Sequence, residues 1–167
     1  MLRDNTMTIL WAVLIVPALV LVSSTSLASD SEGHEFKHHA PGIFLGSSDK
    51  RGGGDELSIG FEYEYRFNPT WGAGVVYEHT PDAHDSDGVS VLLANAYLHP
   101  YAGWRFGVGA GREKVHGDSS HYEWIYRVGA AYDFHVGNFG VAPSLSLDMA
   151  DGGDNVLVYG VAFIWPF

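Results

Sequence analysis

Acids and arginines recur at alternate positions inside the apolar runs of this chain. Glu62, Glu64 and Arg66 stand in LSIGFEYEYRF, Glu78 in WGAGVVYE and Arg105 in WRFGVGAG. Glu123, Arg127 and Asp133 stand in YEWIYRVGAAYDF, and Asp148 in FGVAPSLSLDM. A charge among apolar neighbours must be paired or wetted, because leaving water uncompensated is strongly unfavourable. Two chemistries fit this pattern: an acid–arginine network that fills an interior and holds strand register, or the charged lining of a narrow pore. Acids outnumber arginines in the set, so some acids are predicted to lie near a mouth or to carry a proton.

Other reactive residues offer weaker patterns. Ser119 and Ser120 lie between His116 and His121 in HGDSSHYE, but in a loop and without the spacing of a strand-borne His-x-Ser pair. Many serine, histidine and acid sets could be assembled by folding, so no nucleophilic site is assigned and no enzyme is expected. His34, His38 and His39 cluster early, and His84 stands with Asp82, Asp85 and Asp87 in PDAHDSDG. Imidazole and carboxylate suit zinc or calcium, yet DSDG is only a fragment of a calcium loop, and no metal or other cofactor is expected. KRGGGDE lacks the G-K-[ST] ending and the following helix of a phosphate cradle.

The elements that would position the charges are β-strands. Apolar, β-rich runs fall at 41–48, 56–67, 71–79, 89–99, 101–112, 122–134, 139–149 and 156–167. Most approach the length of a membrane-crossing strand, about 9–11 residues. Their connections alternate. NPT, the region of Pro100 and HVGN are tight, whereas SDKRGGGD, TPDAHDSDG, EKVHGDSSH and ADGGDN are longer and polar. That order predicts an antiparallel up-and-down barrel with its short turns at one end.

Each run has two faces. Leu57, Ile59, Phe61, Tyr63, Tyr65 and Phe67 alternate with Ser58, Gly60, Glu62, Glu64 and Arg66. Trp104, Phe106, Val108 and Ala110 alternate with Arg105, Gly107, Gly109 and Gly111. The runs at 41–48 and 89–99 do not sort into faces. Eight strands leave interior room only for side chains, and the aromatic faces are too bulky to fill it. The small and charged faces are therefore predicted to point inward and the aromatic faces outward, toward lipid. Phe67, Trp71, Tyr97, Tyr101, Phe134, Phe139, Trp165 and Phe167 flank short turns or the last strand and are expected to form a girdle at the membrane interface.

The first 28 residues stand apart. ILWAVLIVPALVLV follows Arg3 and precedes SSTSLA, the pattern of a secretory leader cleaved after Ala28. Residues 29–39 are expected to be a flexible, His-rich segment, and 40–167 the barrel. The 167 residues fit one domain after the leader, and the net charge of -11 argues against nucleic acid as a partner. Cysteine is absent, which excludes disulfides and thiol chemistry.

The closing run VYGVAFIWPF places Tyr159, Val161, Phe163, Trp165 and Phe167 on one face. It resembles the C-terminal signal that the barrel-assembly machinery reads in bacterial outer-membrane proteins. With the leader and the alternating runs, residues 40–167 resemble the small eight-stranded outer-membrane barrels, the OmpA/OmpX/OmpW-like group. The resemblance implies an all-β fold, a bacterial outer-membrane location and outer-membrane lipid, lipopolysaccharide and the assembly machinery as partners of a monomer. It leaves the activity open between a structural or surface-interaction role and a narrow channel for small solutes. A soluble, lipocalin-like periplasmic binder, with the faces inverted, is the remaining alternative.

Overall fold

Strand pairing follows the alternation. The computed structural model describes residues 36–50, 54–83, 88–101, 103–117, 120–153 and 155–167. The expected leader, 1–28, and most of the segment at 29–39 lie outside the described residues. The strands are β1 (His39–Lys50), β2 (Gly54–Arg66), β3 (Trp71–Thr80), β4 (Val89–Leu98), β5 (Trp104–Val115), β6 (His121–Tyr132), β7 (Phe134–Val136), β8 (Phe139–Ala150) and β9 (Asn155–Ile164).

Each wall strand pairs antiparallel with the next, and β6 pairs with β8, β8 with β9 and β9 with β1. Short β7 continues β6 against β8 in the same register. In that register Pro143 stands opposite Tyr132, and a proline has no amide hydrogen for the ladder, which breaks there. The wall therefore has eight strands, β6 and β7 counting as one, and the sheet closes without an edge. Beyond β9, Phe167 and His39 exchange main-chain hydrogen bonds at 2.8 and 3.0 Å. His38 accepts from the amide of Arg66 at 2.7 Å. Residues 38 and 39, expected in a flexible segment, thus belong to the barrel.

The strands outrun the expected bounds at the end away from Phe167, here the far end. Asp49 pairs with Asp55 and Lys50 with Gly54, so most of the loop expected at SDKRGGGD is strand. Glu113, Lys114 and Val115 likewise extend β5. A strand of 13 residues rises about 40 Å, more than an apolar band of about 25 Å requires even with strands tilted by about 40°. Polar residues can therefore stay in the ladder beyond the band, where their polarity no longer marks a turn.

The faces sort as the bulk argument requires. Phe61, Val108 and Leu145 are half exposed on the outer wall, whereas Glu64, Arg105 and Asp148 are buried in the lumen. This polarity corrects the soluble, lipocalin-like alternative, whose apolar face would point in. Two runs unsorted in sequence now have faces. In β1, Phe44 points in between Ile43 and Leu45; a Cβ on Gly46 or Gly160 would run into its ring. In β4, Val89, Val91, Leu93, Asn95 and Tyr97 point in. Tyr97 is therefore not a girdle residue: it is 7% exposed, in the lumen. Phe67, Trp71, Tyr101, Phe134, Trp165 and Phe167 are exposed at the near end, as a girdle requires.

Candidate functional site

The lumen holds the charges in two groups. The first lies toward the near end, where alternation in β2 aims Glu62, Glu64 and Arg66 inward. Arg105, buried on β5, donates from Nη1 to Glu62 Oε1 at 2.9 Å. It also lies 3.9 Å from Glu64 Oε2 and, through Nε, 3.9 Å from Asp133 Oδ1. Arg66 reaches Asp133 Oδ2 at 3.4 Å and Glu64 Oε2 at 3.5 Å. These separations give Coulombic attraction without short hydrogen bonds, apart from the Arg105–Glu62 contact.

The second group is tighter and lies deeper. Arg127 on β6 donates from Nη1 and Nη2 to the two oxygens of Glu78 at 2.5 and 2.7 Å. Its Nε and Nη2 donate to the oxygens of Asp148 at 2.6 and 2.7 Å. A planar guanidinium presents donors in a fixed fork, which suits two carboxylates at once. Glu78 is on β3 and Asp148 on β8, four places apart around an eight-strand wall, so this bridge crosses the lumen.

Small residues make room for these side chains. A Cβ on Gly60 would approach Glu78 Cγ to 2.7 Å, and one on Gly72 would collide with Glu64 Oε1. The glycines that alternate with aromatics in the sequence are thus the floor on which the acids lie.

Every residue of the charged set except Glu123 joins one of the two groups. Glu123 sits at the far rim, where His121 Nε2 lies 3.2 Å from its Oε1, so part of the acid excess is at a mouth. Two participants are not evident from sequence. His99 Nε2 is 2.7 Å from Glu64 Oε1, and the Arg105 guanidinium lies 5.4 Å from the centre of the Tyr97 ring. Both follow from the inward phase of β4, which Asn95 would have marked had it been read as inward. A cavity of about 60 Å³ lies in the lumen beside Asn95, Tyr97, Arg105 and Arg127.

The other candidate chemistry disperses. Ser119, His34, His84, Asp85 and Asp87 lie outside the described residues, and among the described residues no three metal-binding side chains converge. His38 donates from Nδ1 to the carbonyl of Arg66 at 2.7 Å, and His39 Nδ1 is 2.7 Å from the Tyr63 hydroxyl. His116 instead reaches Ser90: its Nε2 and His79 Nδ1 each lie 3.0 Å from Ser90 Oγ, joining β3, β4 and the end of β5.

On the outside of β9 and its tail, Tyr159, Val161, Phe163, Trp165 and Phe167 keep one face, and Trp165 and Phe167 are exposed. Arg112 stacks over Trp124 at 5.1 Å and Lys114 over Tyr122 at 5.7 Å, on the outer wall toward the far end.

No protein-family model and no curated protein matches this chain. Solved structures do. The fold is similar to Ail, the attachment invasion locus protein of Yersinia pestis, with a TM-score of 0.54 and 14% identity over 78% of this chain and 97% of that one. Neisserial surface protein A gives a TM-score of 0.52 at 13% identity over 81% of this chain and all of that one (100%). The N-terminal β-barrel domain of Pseudomonas aeruginosa OprF gives 0.50 at 18% identity, over 78% and 100%. At these identities the likeness concerns the backbone, and its meaning is architectural: the chain has the fold of the small eight-stranded outer-membrane barrels.

Proposed function

We propose that this chain is a closed, non-enzymatic barrel of the bacterial outer membrane that acts as a structural element of the envelope and presents its far end for surface interaction. The observation that carries this reading is the Glu78–Arg127–Asp148 bridge, which spans the lumen with four hydrogen bonds of 2.5–2.7 Å. A solute would have to part those contacts, and separating buried, paired charges is strongly unfavourable. The charge network then serves as a plug that fixes strand register.

Outer-membrane residence is supported by the aromatic and aliphatic outer wall, which gains nothing from water. With the near end in the periplasm, the exposed Arg112 and the half-buried Lys114 fall toward the outer leaflet, where lipopolysaccharide carries phosphate. The Tyr159–Phe167 face serves as the signal to the assembly machinery. The closed sheet leaves no edge for a second copy, in keeping with a monomer.

Reconstitution into a planar bilayer tests the reading. The expected record is a quiet bilayer after verified insertion. Steady unitary currents from the wild-type protein would overturn the closed barrel and establish the narrow channel in its place.

A further inference from the structure

Above the Arg127 bridge the far end of the lumen opens into a cavity of about 330 Å³. Glu56, Glu113 and Glu123 stand on its wall against Lys50 and His121, and Glu78 and Asp148 lie at its floor. Val89, Val91, Val115, Val156 and Val158 form an apolar part of the wall, and Ser48 and Thr80, whose hydroxyls pair with each other at 3.5 Å, add a polar part. Ser58 also lines it, 1% exposed, and its hydroxyl has no hydrogen-bond partner. Buried hydroxyls are nearly always satisfied, so an orphan beside an open cavity points to a partner that enters from it.

We infer that this cup binds a small alkylammonium ion, a single ammonium head on a compact apolar body. Among the described lining residues acids outnumber bases, which favours a cation. The valine wall favours an apolar body, since a hydrated inorganic ion gains nothing by lying against methyl groups. Among the described residues no three carboxylates or imidazoles converge as they would to hold a metal. Ser58 Oγ can accept a hydrogen bond from an N–H of the ammonium, and Glu56 and Glu123 supply the opposing charge. The inference rests on the closed-barrel reading, in which the bridge is a floor and the cup a dead end.

The test is calorimetric titration of the folded protein, in an uncharged detergent, with cyclohexylammonium chloride, cyclohexanol and calcium chloride. Saturable binding of cyclohexylammonium alone is expected. The double variant Glu56→Gln/Glu123→Gln should weaken it at least about tenfold, and Ser58→Ala about fivefold. Ser58 is buried, so heat-modifiable gel mobility verifies that each variant is folded. Absence of saturable binding, equal binding of the neutral alcohol, equal binding of calcium, or affinities unmoved by the substitutions would each overturn the inference. Conductance separates the two readings: a quiet bilayer with no binding removes the cup alone, whereas unitary currents remove the closed floor.

Discussion

Arg127 grips Glu78 by two parallel hydrogen bonds, 2.5 and 2.7 Å long, although the two residues stand on strands three places apart around the wall. The same guanidinium holds Asp148 on the adjacent strand β8. One side chain therefore ties three strands together through the middle of the barrel.

Removing that side chain leaves two buried carboxylates facing one another. Arg127→Ala should destabilise the folded barrel by about 3–5 kcal/mol, read as a shift of urea unfolding in detergent. Adding Glu78→Gln and Asp148→Asn to the same chain should recover part of the loss, because the uncompensated charges are then gone. An unfolding curve for Arg127→Ala that matches the wild type would dismiss the plug.

Arg66 is a weaker tie. Its contacts with Asp133 and Glu64 are 3.4 and 3.5 Å long, and its side chain remains 16% exposed near the mouth. Arg66→Ala should cost about 1–3 kcal/mol, less than Arg127→Ala measured side by side. Equal losses from the two substitutions would show that packing geometry does not grade the network.

Gly72 is predicted to be coupled to Glu64. Gly72→Ala puts a methyl group where Glu64 Oε1 lies. Overpacking of this kind should cost about 1–3 kcal/mol in the wild-type background. In a Glu64→Ala background the cost should largely vanish, and a double-mutant cycle measures the difference. Additive losses would place the strain elsewhere.

The outer wall offers a test of the lipid environment. Val108, midway along β5, is 59% exposed. Val108→Arg should destabilise the barrel in a bilayer by about 2–4 kcal/mol, the cost of an arginine at mid-membrane depth. The same change on a wall bathed in water would be close to neutral, so unchanged stability in liposomes would return the molecule to the aqueous phase.

Phe167→Ala addresses assembly. It should lower the yield of folded barrel in the outer membrane of cells while leaving refolding into detergent micelles unchanged, since only the cell requires the signal to be read. A loss of equal size in both settings would assign Phe167 to stability through its ring, which stacks on that of His39 at 5.2 Å.

What the sequence determined by itself is the part of the structure with local period. Successive side chains on a strand point to opposite sides, so Phe61, Tyr63 and Tyr65 had to share one face and Glu62, Glu64 and Arg66 the other. Bulk then decided which face is inside. Where that contrast fails, as in VLLANAYL with apolar residues on both faces, the phase is illegible, so the sequence puts Tyr97 on the wrong face and leaves His99 unnoticed. Strand ends were blurred for a related reason: beyond the lipid band polar residues stay in the ladder, so Asp49 and Asp55 pair where composition suggests a loop. Only the closed tertiary structure decided who meets whom across the lumen. Arg127 meets Asp148 as its neighbour in the β6–β8 register, but it chooses Glu78, and Arg105 chooses Glu62, because closure and stagger bring distant strands to the same height. That height depends on the sum of every register around the wall, which no single stretch of residues contains.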